Sequence, residues 1–578
     1  MSRPELENTT FHPAARLAGA LAYRRYDDPR PIDLKLDANE APPLSLAALA
    51  ELNSGAIDNV QEYPDARAVE ASLAALVGVS AEQLVVTAGG DDALSRLAQI
   101  ALEPGREALV TTPTFEMIGR YIRLAGAAAV ETPWLQGPFP VDAVIGLVSE
   151  RTSAIFIVSP NNPTGGVASF DDLERVSAAA PGALLVLDHA YAEFADEDLT
   201  TQALTLPNTV VVRTLSKAWG LAGLRVGYAV GPETLIGMLR AVGQPYAVSR
   251  PSIAAALQRV RVGRGAMIAS VAQVSRERGR LGTTLTALGA EPLASQGNFV
   301  AARVKDAGRS ADLLAGLGIA VRAFRQPGPM KGFLRITCPG NEAAFDRLSR
   351  ALRAVLKPEA ILFDLDGVLA DVSNSYRRAI IETAATFGVT VTREQIAAAK
   401  ALGDANNDWI LTRRLLAANG VEVGLAEVTQ RFESLYQGTL VTPGFRASER
   451  LMMDRVALAA LAARLPLAIV TGRPRADAEV FLSQHGLMDL FKTLVCMEDA
   501  ALKPDPAPVR LALDRLGINA AWMLGDTVDD VRAARGAGVV PIGVVAPGDD
   551  PATASATLLG AGAGVILNQV TSILEILP

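Results

Sequence analysis

Short apolar runs recur along the chain, and segments with helical periodicity separate them. The runs that predict buried strands are Leu84–Thr87, Ala154–Val158, Leu184–Leu187, Val210–Arg213, Ala360–Phe363, Leu467–Val470 and Ala521–Leu524. Wholly apolar strands that alternate with helices are typical of largely parallel sheets, because helices cover both faces of such a sheet. The pattern therefore predicts an α/β fold along almost the whole chain.

The same pattern predicts a domain boundary. The chain has 578 residues, which is more than one ordinary hydrophobic core accommodates. Residues Asn341–Leu356 predict an amphipathic helix, and the proline of Lys357-Pro358-Glu359 ends it because proline cannot continue a helix. A new apolar strand begins at Ala360. We therefore predict two domains, residues 1–356 and 357–578, joined by a short linker.

Composition and charge exclude several classes of function. The formal net charge is −8, whereas a nucleic-acid footprint should be basic, so we expect no nucleic-acid partner. No uncharged apolar run reaches the roughly 18 residues of a membrane span, and we expect no membrane partner. The N-terminal stretch MSRPELENTT has no apolar core of a secretory signal. These features predict a soluble protein.

Cysteine and histidine are scarce, which limits the metal chemistry. The two cysteines, Cys338 and Cys496, lie far apart without CxxC spacing, and this favours a reducing cytoplasm over a disulfide scaffold. The three histidines show no metal-ligand spacing, so a histidine-based centre is not expected. Any metal should be a hard cation held by carboxylates.

Four motifs in the first domain follow predicted strands. They are Thr87-Ala88-Gly89-Gly90-Asp91-Asp92, Ser159-Pro160-Asn161-Asn162-Pro163-Thr164-Gly165, Asp188-His189-Ala190-Tyr191 and the segment Thr214–Arg225 with Ser216-Lys217. Taken singly, each has an ordinary interpretation: a tight turn, a proline turn, a strand cap or a surface lysine. Lys217, however, is flanked by small and apolar residues, and burial favours a neutral amine.

Taken together, the four motifs match the requirements of pyridoxal phosphate. This cofactor needs a lysine for its Schiff base and a carboxylate that keeps the pyridine nitrogen protonated. A hydrogen-bond donor should hold its phenolic oxygen, while backbone amides and a cation hold its phosphate. Residues 1–356 supply these parts in order.

These motifs, with Leu36–Glu40, Tyr63-Pro64-Asp65 and Leu334–Thr337, resemble the fold-type-I aminotransferases, and most of all the histidinol-phosphate aminotransferase group. The resemblance implies that Lys217 is the Schiff-base lysine and proton shuttle, and that Asp188 pairs with the pyridine nitrogen. For the remaining contacts it implies Asn162 and Tyr191 at the phenolic oxygen, Gly90, Asp91, Ser216 and Arg225 at the phosphate, and Tyr63 at the phosphate of a neighbouring subunit. A homodimer is therefore expected.

The residues expected to bind the substrate match the family pattern less closely than those expected to bind the cofactor. The resemblance implies that Arg335 grips an acidic substrate group by a bidentate contact. Arg322 falls where this group places a second anion-binding arginine; the alternative is a surface arginine on an edge strand. Three departures put the substrate in doubt: Phe115 replaces a cofactor-stacking tyrosine, Asn39-Glu40-Ala41-Pro42 replaces Asn-Glu-Asn-Pro near the substrate, and His189 replaces an acid.

The second domain has four further motifs, three at the ends of predicted strands and one, with Lys503, ahead of a helix. They are Phe363-Asp364-Leu365-Asp366-Gly367, Val470-Thr471-Gly472-Arg473, Leu502-Lys503-Pro504-Asp505 and Leu524-Gly525-Asp526-Thr527-Val528-Asp529-Asp530. Carboxylates as close as Asp364 and Asp366 are costly unless a cation or a proton separates them. One such motif alone fits a turn or a calcium loop, whereas four in this order favour a single phosphate and metal site.

The order and spacing of these motifs resemble the haloacid-dehalogenase superfamily, a Rossmann-like fold. The resemblance implies that Asp364 is the nucleophile that becomes an aspartyl phosphate. Asp366 would act as general acid and then base. The implied phosphate contacts are Thr471 and Lys503, and the implied magnesium ligands are Asp364, Asp366 through its carbonyl, Asp526 and Asp530, the last of which could orient Lys503 instead. Asp366 favours a phosphatase over a dehalogenase, because phosphate monoester cleavage needs a leaving-group acid.

About a hundred residues separate the first two of these motifs. The segments Ser375–Phe387, Arg393–Ala401, Asn406–Ala418 and Leu425–Gln437 predict helices, and hence a helical cap at about residues 373–465. Such a cap can close over a small substrate and exclude water. Gly403–Trp409 within it is either a turn with a helix N-cap or a loop that reads the substrate.

The sequence therefore predicts a bifunctional enzyme that takes an amino donor, a 2-oxo acid and a phosphate monoester. The concrete candidate is transamination of imidazole-acetol phosphate with glutamate, followed by removal of the phosphate from histidinol phosphate, as in histidine biosynthesis. Another amino-alcohol phosphate, or an aromatic amino acid of specialised metabolism, stays open. In a third alternative, one half is a non-catalytic binding module.

Overall fold

The computed structural model describes residues 14–17, 22, 28–53, 60–403, 407–439 and 441–578. The chain folds as two compact units. The first is built mainly on Leu36–Arg303 and Arg322–Phe345. The second contains Asp346–Pro578, Val304–Val321 and a short segment that ends at Lys35. The second unit therefore includes segments that lie before residue 357.

Strands and helices alternate in the first part of the chain, as its apolar pattern predicts. The strands are β1 Leu34–Leu36, β2 Leu84–Thr87, β3 Glu107–Thr112, β4 Ala128–Pro133, β5 Thr152–Val158, β6 Leu184–Asp188, β7 Thr209–Thr214, β8 Gly227–Val230, β9 Glu291–Pro292, β10 Phe299–Arg303, β11 Ile319–Ala323 and β12 Phe333–Thr337. The helices are α1 Leu46–Asn53, α2 Arg67–Val77, α3 Gly90–Ala101, α4 Glu116–Leu124, α5 Val141–Gly146, α6 Phe170–Ala179, α7 Thr200–Ala203, α8 Glu233–Val242, α9 Arg250–Val262, α10 Arg264–Ala287, α11 Ala307–Gly316 and α12 Glu342–Leu356.

A seven-stranded sheet forms the centre of the first unit. Its order is β2-β8-β7-β6-β5-β3-β4, and only β8 runs antiparallel to its neighbours. Successive residues of each strand point to opposite faces. Val186 and Val212 lie in one apolar cluster with α3, whereas Leu187 and Val211 lie in another with α6. Burial on both faces explains why these strands are continuous apolar runs.

A second, five-stranded sheet has the order β1-β11-β12-β10-β9. Strand β12 pairs antiparallel with both β10 and β11, and the register places Arg322 directly opposite Arg335. Residues opposite each other in an antiparallel pair point to the same face. The two arginines therefore share one face of this sheet.

The rest of the chain also alternates. Its strands are β13 Ala360–Phe363, β14 Ala370–Asp371, β15 Arg450–Leu451, β16 Leu467–Val470, β17 Phe491–Val495, β18 Ala521–Gly525, β19 Val540–Val544 and β20 Val565–Leu567. Its helices are α13 Tyr376–Thr386, α14 Arg393–Leu402, α15 Asp408–Ala418, α16 Leu425–Gln437, α17 Arg455–Ala462, α18 Arg475–Gln484, α19 Ala507–Leu516, α20 Val528–Gly536, α21 Pro551–Ala561 and α22 Ile573–Ile576.

A parallel six-stranded sheet with the order β17-β16-β13-β18-β19-β20 forms the core of the second unit. Helices α19 and α20 pack on one face of it through a cluster that includes Leu362, Val470 and Met523. Helices α13 to α16 follow the short strand β14, which pairs antiparallel with β15. These four helices occupy the region predicted as a cap.

Segments from before the predicted boundary pack on this six-stranded sheet. Helix α11 contacts β19 and β20, and a Cβ on Gly316 would lie 2.8 Å from the Cα of Gly564. Arg30 Nη2 donates to the carbonyl of Gly564 (2.9 Å). The buried Trp522 of β18 donates its indole N–H to the carbonyl of Ala354 (2.8 Å). These contacts explain why the second unit extends beyond the predicted second domain.

The predicted α/β fold class is confirmed, and the predicted strands match observed ones to within two residues at each end. Among the described residues, no helix is long and apolar enough to cross a bilayer. The boundary at residue 357 stays a prediction.

Two candidate active sites

The carboxyl edge of the seven-stranded sheet gathers the motifs of the first unit. Asp188 ends β6, and Ser216 and Lys217 follow the neighbouring strand β7. Asn161 and Asn162 follow β5, on the other side of β6. Parallel strands end at the same edge, so chain segments far apart in sequence meet here. This edge is the first candidate site.

Lys217 is half-buried in this site. Its Nζ donates to the carbonyl of Ala38 (3.1 Å) and lies 5.7 Å from the ring centre of Tyr191. Burial lowers the pKa of Lys217 to about 8, and the positive charge of Arg335 adds to the shift. About a tenth of this amine is therefore neutral at pH 7, far more than in a lysine of ordinary pKa. A nucleophilic lysine requires this neutral form.

Asp188 and Tyr191 are buried beside this lysine. Burial raises the pKa of Asp188 to about 7, although the N–H of Ala190 donates to its Oδ1 (3.1 Å) and lowers the pKa in part. Burial also raises the pKa of Tyr191, so its hydroxyl stays protonated. The Nδ2 of Asn39 donates to that hydroxyl oxygen (2.9 Å), which leaves the hydroxyl hydrogen available for an acceptor.

Arg335 is a buried cation at the predicted substrate side of the site. Its Nη1 donates to Asn162 Oδ1 (2.5 Å) and its Nη2 to the carbonyl of Asp37 (2.6 Å). Burial lowers its pKa, and the charge of Arg322 adds to this. Its Nε is buried without a hydrogen-bond partner among the described residues. Asn162 and Arg335, which the sequence assigns to cofactor and substrate, are thus directly hydrogen-bonded.

A tight glycine turn lies at the start of α3. Gly89 has a φ of 83°, and a Cβ there would lie 2.6 Å from Arg225 Nη2. A Cβ on Gly227 would lie 2.5 Å from the carbonyl carbon of Gly89. The close approach of these backbones requires glycine. The turn places the N–H groups of Gly90 and Asp91 at a helix N-terminus, where an anion is favoured.

The other predicted phosphate ligands converge on the same turn. Arg225 Nη2 lies 3.1 Å from Asp91 Oδ2, and its Nη1 lies 3.5 Å from Ser216 Oγ. Tyr121 adds its hydroxyl at 3.3 Å from Asp91 Oδ1. The structure thus brings Gly90, Asp91, Ser216 and Arg225 together, and Tyr121 joins them although sequence reasoning did not select it.

Three predicted residues occupy more peripheral places. Tyr63 is exposed and stacks on Tyr246, with ring centroids 4.5 Å apart. Arg322 is exposed on β11, with its guanidinium 5.9 Å from the ring centre of Phe324. Phe115 is half-buried against the core at the start of α4. None of the three has a described hydrogen bond to Lys217 or Asp188.

The structure shows the contacts of His189 and Asn298, which the sequence did not predict. His189 is buried, with its ring nitrogens facing the carbonyl of Ser159 and the N–H of Leu199 (3.2 Å). It therefore braces the strand ends. Asn298 is buried and donates from Nδ2 to the carbonyl of Asn39 (3.1 Å), while its Oδ1 has no partner among the described residues. No spacing rule pointed to Asn298, because it precedes β10 of the other sheet.

The second candidate site lies at the carboxyl edge of the six-stranded sheet. Strand β13 lies between β16 and β18. Asp364 follows β13, Thr471 follows β16, and Asp526 follows β18. Buried Thr471 accepts at its hydroxyl from the N–H of Arg473 (3.2 Å). The edge therefore combines a hydroxyl and carboxylates, as the motifs predict.

Lys503 connects the carboxylates of this site. Its Nζ donates to Asp364 Oδ1 (2.7 Å), to the carbonyl of Val470 (3.1 Å) and to Asp530 Oδ1. Burial alone would lower the pKa of Lys503, but Asp364 and then Asp530 raise it above its ordinary value. Lys503 is therefore a fixed cation, in contrast to Lys217.

Asp364, Asp526 and Asp530 offer oxygen atoms that all lie within 4.8 Å of one another. Burial raises the pKa of Asp364 well above its usual range, and neighbouring carboxylates contribute. Burial and then Asp530 raise the pKa of Asp526 to about 7. Gly367 has a φ of 72°, and a Cβ there would strike the carboxylate of Asp526. Such crowded oxygen donors suit a hard divalent cation.

Asp366 faces a different partner. Arg473 donates from Nε to Asp366 Oδ1 (2.6 Å), and from Nη1 to Glu449 Oε2 (2.9 Å). Arg473 belongs to the motif Val470–Arg473, but the sequence predicted no role for it. Its position directly after Thr471-Gly472 could have indicated that Arg473 lies in the site. No sequence feature indicated Glu449, because it lies in a connection before β15.

The predicted cap loop is described in part, since residues 404–406 lie outside the described residues. Asn407 caps α15, and its Oδ1 accepts from the N–H of Ile410 (3.0 Å). This agrees with the helix N-cap interpretation. The next residue, Asp408, lies 3.5 Å from Lys400 Nζ of α14.

Two family models match the chain. Residues 31–352 match the family described as aminotransferase class I and II, and residues 358–538 match the haloacid dehalogenase-like hydrolases. The two matches lie on either side of residue 357.

Curated relatives include enzymes with different names. An aromatic amino acid aminotransferase of Mycobacterium avium is 37% identical over 279 residues, which is 47% of this chain and 78% of the relative. A histidinol-phosphate aminotransferase of Dinoroseobacter shibae is 35% identical over 297 residues, covering 50% and 82%. An imidazoleglycerol-phosphate dehydratase of Phytophthora nicotianae is 45% identical over 237 residues, covering 38% of this chain and 52% of the relative. The chain thus spans about half the length of this last relative.

Solved structures show the same fold for the first part. The histidinol-phosphate aminotransferase of Sinorhizobium meliloti, solved with pyridoxal 5'-phosphate, is similar with a TM-score of 0.54 at 24% identity, covering 60% of this chain and 99% of that one. At this identity the likeness concerns the fold alone. The family matches show that the chain belongs to the class I and II aminotransferases and carries, after residue 357, a haloacid dehalogenase-like hydrolase domain.

Proposed function

We propose that the chain is a bifunctional enzyme, in which a pyridoxal-phosphate transaminase acts on a small phosphorylated substrate and a magnesium-dependent phosphatase removes the phosphate. One observation carries the substrate class: Arg322 and Arg335 lie opposite each other on one face of an antiparallel strand pair. Like charges at opposed positions are destabilising. An anionic substrate group bound between them would offset this repulsion.

The first site fits pyridoxal phosphate. The glycine turn at α3, with Ser216 and Arg225, would hold the phosphate, and Tyr191 and Asn162 would face the phenolic oxygen. Asp188 would pair with the pyridine nitrogen, and that positive charge would restore the carboxylate whose pKa burial raises. The bound cofactor supplies an electron-withdrawing ring that makes the substrate α-proton acidic.

Lys217 would perform the proton transfers. Its lowered pKa gives a neutral Nζ that can hold the cofactor covalently and, once free of it, accept the α-proton of the substrate. The same Nζ, then protonated, would return the proton at another carbon atom. The hydrogen bond from Nζ to the carbonyl of Ala38 fixes the amine beside Tyr191. Arg335, held by Asn162 and Asp37, would fix the acidic group of the substrate.

The second site supports hydrolysis of a phosphate monoester in two displacements. A carboxylate oxygen of Asp364 would attack phosphorus while the ester P–O bond breaks, and Asp366 would give its proton to the departing alkoxide. Asp366 would then take a proton from water, whose oxygen attacks the aspartyl phosphate and frees Asp364 and inorganic phosphate. Lys503 and Thr471 would neutralise and hold the transferring group.

The second site also fits magnesium. The side chains of Asp364, Asp526 and Asp530, with the carbonyl of Asp366, would hold the ion. Its charge would offset the repulsion that raises the pKa of Asp364 and Asp526. Magnesium would supply further neutralisation of charge on the phosphoryl group.

For the substrate, we favour imidazole-acetol phosphate and glutamate, which give histidinol phosphate and then histidinol. Relatives named histidinol-phosphate aminotransferase and imidazoleglycerol-phosphate dehydratase support a phosphorylated imidazole compound. Relatives named aromatic amino acid aminotransferase keep an aromatic amino acid as the second candidate. We place the enzyme in the cytoplasm, because both cysteines are free and buried.

The experiment that tests the proposal is a substrate screen of the purified full chain with pyridoxal phosphate and Mg²⁺. We expect visible absorbance from the bound cofactor, transamination between glutamate and imidazole-acetol phosphate, and Mg²⁺-dependent release of phosphate from histidinol phosphate. If aromatic amino acids are the better amino donors and no phosphorylated amine is cleaved, the second candidate is correct. A colourless chain without transaminase activity would contradict the first half of the proposal.

A further inference from the structure

Arg473 is a buried charged side chain at the second site that has no role in the hydrolysis proposed above. Its side chain is 1% exposed and lies between two carboxylates, Asp366 and Glu449. A buried guanidinium is costly unless all its faces are satisfied. A charge buried at this edge of the sheet is therefore expected to have a function.

Hydrogen bonds hold the guanidinium of Arg473 at Nε and Nη1, and an ion pair adds to them at Nη2. Nε donates to Asp366 Oδ1 (2.6 Å), and Nη2 forms an ion pair with the same oxygen. Nη1 donates to Glu449 Oε2 (2.9 Å) and lies 3.4 Å from the hydroxyl of Tyr436. The guanidinium carbon lies 4.9 Å from the ring centre of Tyr376.

Glu449 is itself held in place. It is buried, with its side chain 5% exposed, and its Oε1 accepts from the hydroxyl of Tyr436 (3.0 Å). Tyr436 is almost fully buried at the end of α16. Glu449 therefore cannot move without uncovering a buried charge, and it clamps the end of Arg473 that is remote from Asp366.

The side chain of Asp366, by contrast, is less tightly packed than that of Glu449. Its side chain is 27% exposed, and Arg473 is its described charged partner. One charge-assisted hydrogen bond from Nε and an ion pair with Nη2, both at Oδ1, set the direction of the carboxyl group, while the other oxygen is left for the substrate. General acid catalysis depends on hydrogen-bond reach to the leaving oxygen, so the direction of this group controls the rate of proton transfer.

We propose that Arg473, clamped by Glu449, is the positioning residue that aims Asp366 at the leaving group of the phosphate ester. The inference rests on the proposed phosphatase function and deepens it. Arg473 does not touch the reacting atoms; it acts through Asp366. Its effect should therefore grow with the need of the leaving group for a proton.

The test compares two phosphate esters in wild type and in Arg473→Met. The nitrophenolate of p-nitrophenyl phosphate leaves without a proton, whereas the alkoxide of histidinol phosphate needs one. The measured quantity is kcat/KM for each ester. This ratio reports the steps up to formation of the aspartyl phosphate and excludes hydrolysis of that intermediate. We expect a loss of about 10²-fold or more for histidinol phosphate, and at most a roughly threefold loss for p-nitrophenyl phosphate.

Further variants separate positioning from folding. Arg473→Met leaves Glu449 buried without its cationic partner. Arg473→Met with Glu449→Gln removes both charges and should keep the same selective loss. Glu449→Gln alone should cause a roughly threefold to tenfold selective loss, since the clamp weakens but Arg473 stays. Arg475→Ala is the matched control: Arg475 is the first residue of α18, two positions after Arg473, pairs with Asp499, and should leave both rates unchanged.

Equal losses on both esters in the double variant would overturn the inference, because they indicate general damage to the site. The phosphatase proposal would survive that result. If wild type cleaves p-nitrophenyl phosphate but not histidinol phosphate, phenyl phosphate takes its place as the ester with the poorer leaving group, and only the substrate assignment fails. A wild-type chain that cleaves none of these esters would overturn the phosphatase proposal and the inference together.

Discussion

Lys217 and Lys503 each lie at the carboxyl edge of a sheet of mainly parallel strands, yet their charge is controlled in opposite directions. Burial and the nearby charge of Arg335 lower the pKa of Lys217 to about 8. Burial also disfavours the charge of Lys503, but Asp364 and Asp530 bond it directly and raise its pKa. The comparison teaches that contact with carboxylates decides whether a buried lysine serves as a nucleophile or as a fixed cation.

The largest effect should come from removing Asp364, the proposed nucleophile beside Lys503. Asp364→Asn should lower Mg²⁺-dependent phosphate release by roughly 10⁵-fold or more, because an amide cannot form the aspartyl phosphate. Transamination by the same protein is the internal control and should be unchanged. Normal phosphate release from this variant would place the nucleophile elsewhere and would reduce Lys503 and Asp364 to a structural ion pair.

The reciprocal change removes Lys217, the lysine proposed to hold the cofactor. Lys217→Ala should lower transamination by about 10⁴-fold or more and abolish the absorbance of the covalently held cofactor. Lys217→Arg is the matched variant: it keeps a positive charge but has no neutral amine, so it should lose as much activity. Phosphate release should be retained in both. Persistence of the cofactor absorbance in either variant would contradict the role of Lys217.

The pH dependence tests the lowered pKa itself. The fraction of neutral Nζ grows as pH rises through the pKa of about 8, so covalent attachment of pyridoxal phosphate to the cofactor-free chain should speed up about tenfold from pH 7 to 9 and then level off. A lysine with the ordinary pKa of about 10.4 would speed up roughly a hundredfold over this range without levelling.

The variant Arg335→Met tests which charge lowers the pKa of Lys217, by the same pH profile of cofactor attachment. It removes the second cause of the shift while burial stays, so the profile should move to higher pH. The attachment rate is measured by absorbance under single-turnover conditions across the pH series. An unchanged profile in Arg335→Met would show that the charge of Arg335 does not act on Lys217.

The smallest effect concerns Tyr63, which the resemblance places at the cofactor phosphate of a partner subunit. Tyr63 is 77% exposed and stacks on Tyr246. We expect a homodimer in sedimentation at assay concentration. Tyr63→Phe keeps the stacking ring and should weaken pyridoxal phosphate binding about tenfold, through loss of one hydrogen bond to an anion. Fully active monomers would exclude the shared site.

Local patterns were sufficient for the elements that build each sheet. The apolar runs Leu84–Thr87, Ala360–Phe363 and Leu467–Val470 are strands with the predicted bounds, since burial on both faces leaves no polar positions. The helix predicted at Asn341–Leu356 begins one residue later, at Glu342. Residues at the ends of such strands were also accessible from sequence, because parallel strands present their carboxyl ends at one edge.

Contacts between distant segments were beyond the sequence. Arg473 and Asp366 are 107 positions apart, and Glu449 lies in a connection without periodicity. The packing of α11 on β19 and β20 joins segments more than 200 residues apart, which no local pattern encodes. No strand was predicted at β8, and apolar content would not have revealed its antiparallel direction.

The central claim is that the first site makes the phosphorylated amine that the second site consumes. The most direct test supplies imidazole-acetol phosphate, Mg²⁺ and pyridoxal phosphate to the full chain and measures inorganic phosphate with and without glutamate. We predict phosphate release that depends on glutamate in wild type, no such release in Lys217→Ala, and its restoration in that variant by added histidinol phosphate. Equal phosphate release without glutamate, or from generic sugar phosphates, would contradict consecutive action of the two sites.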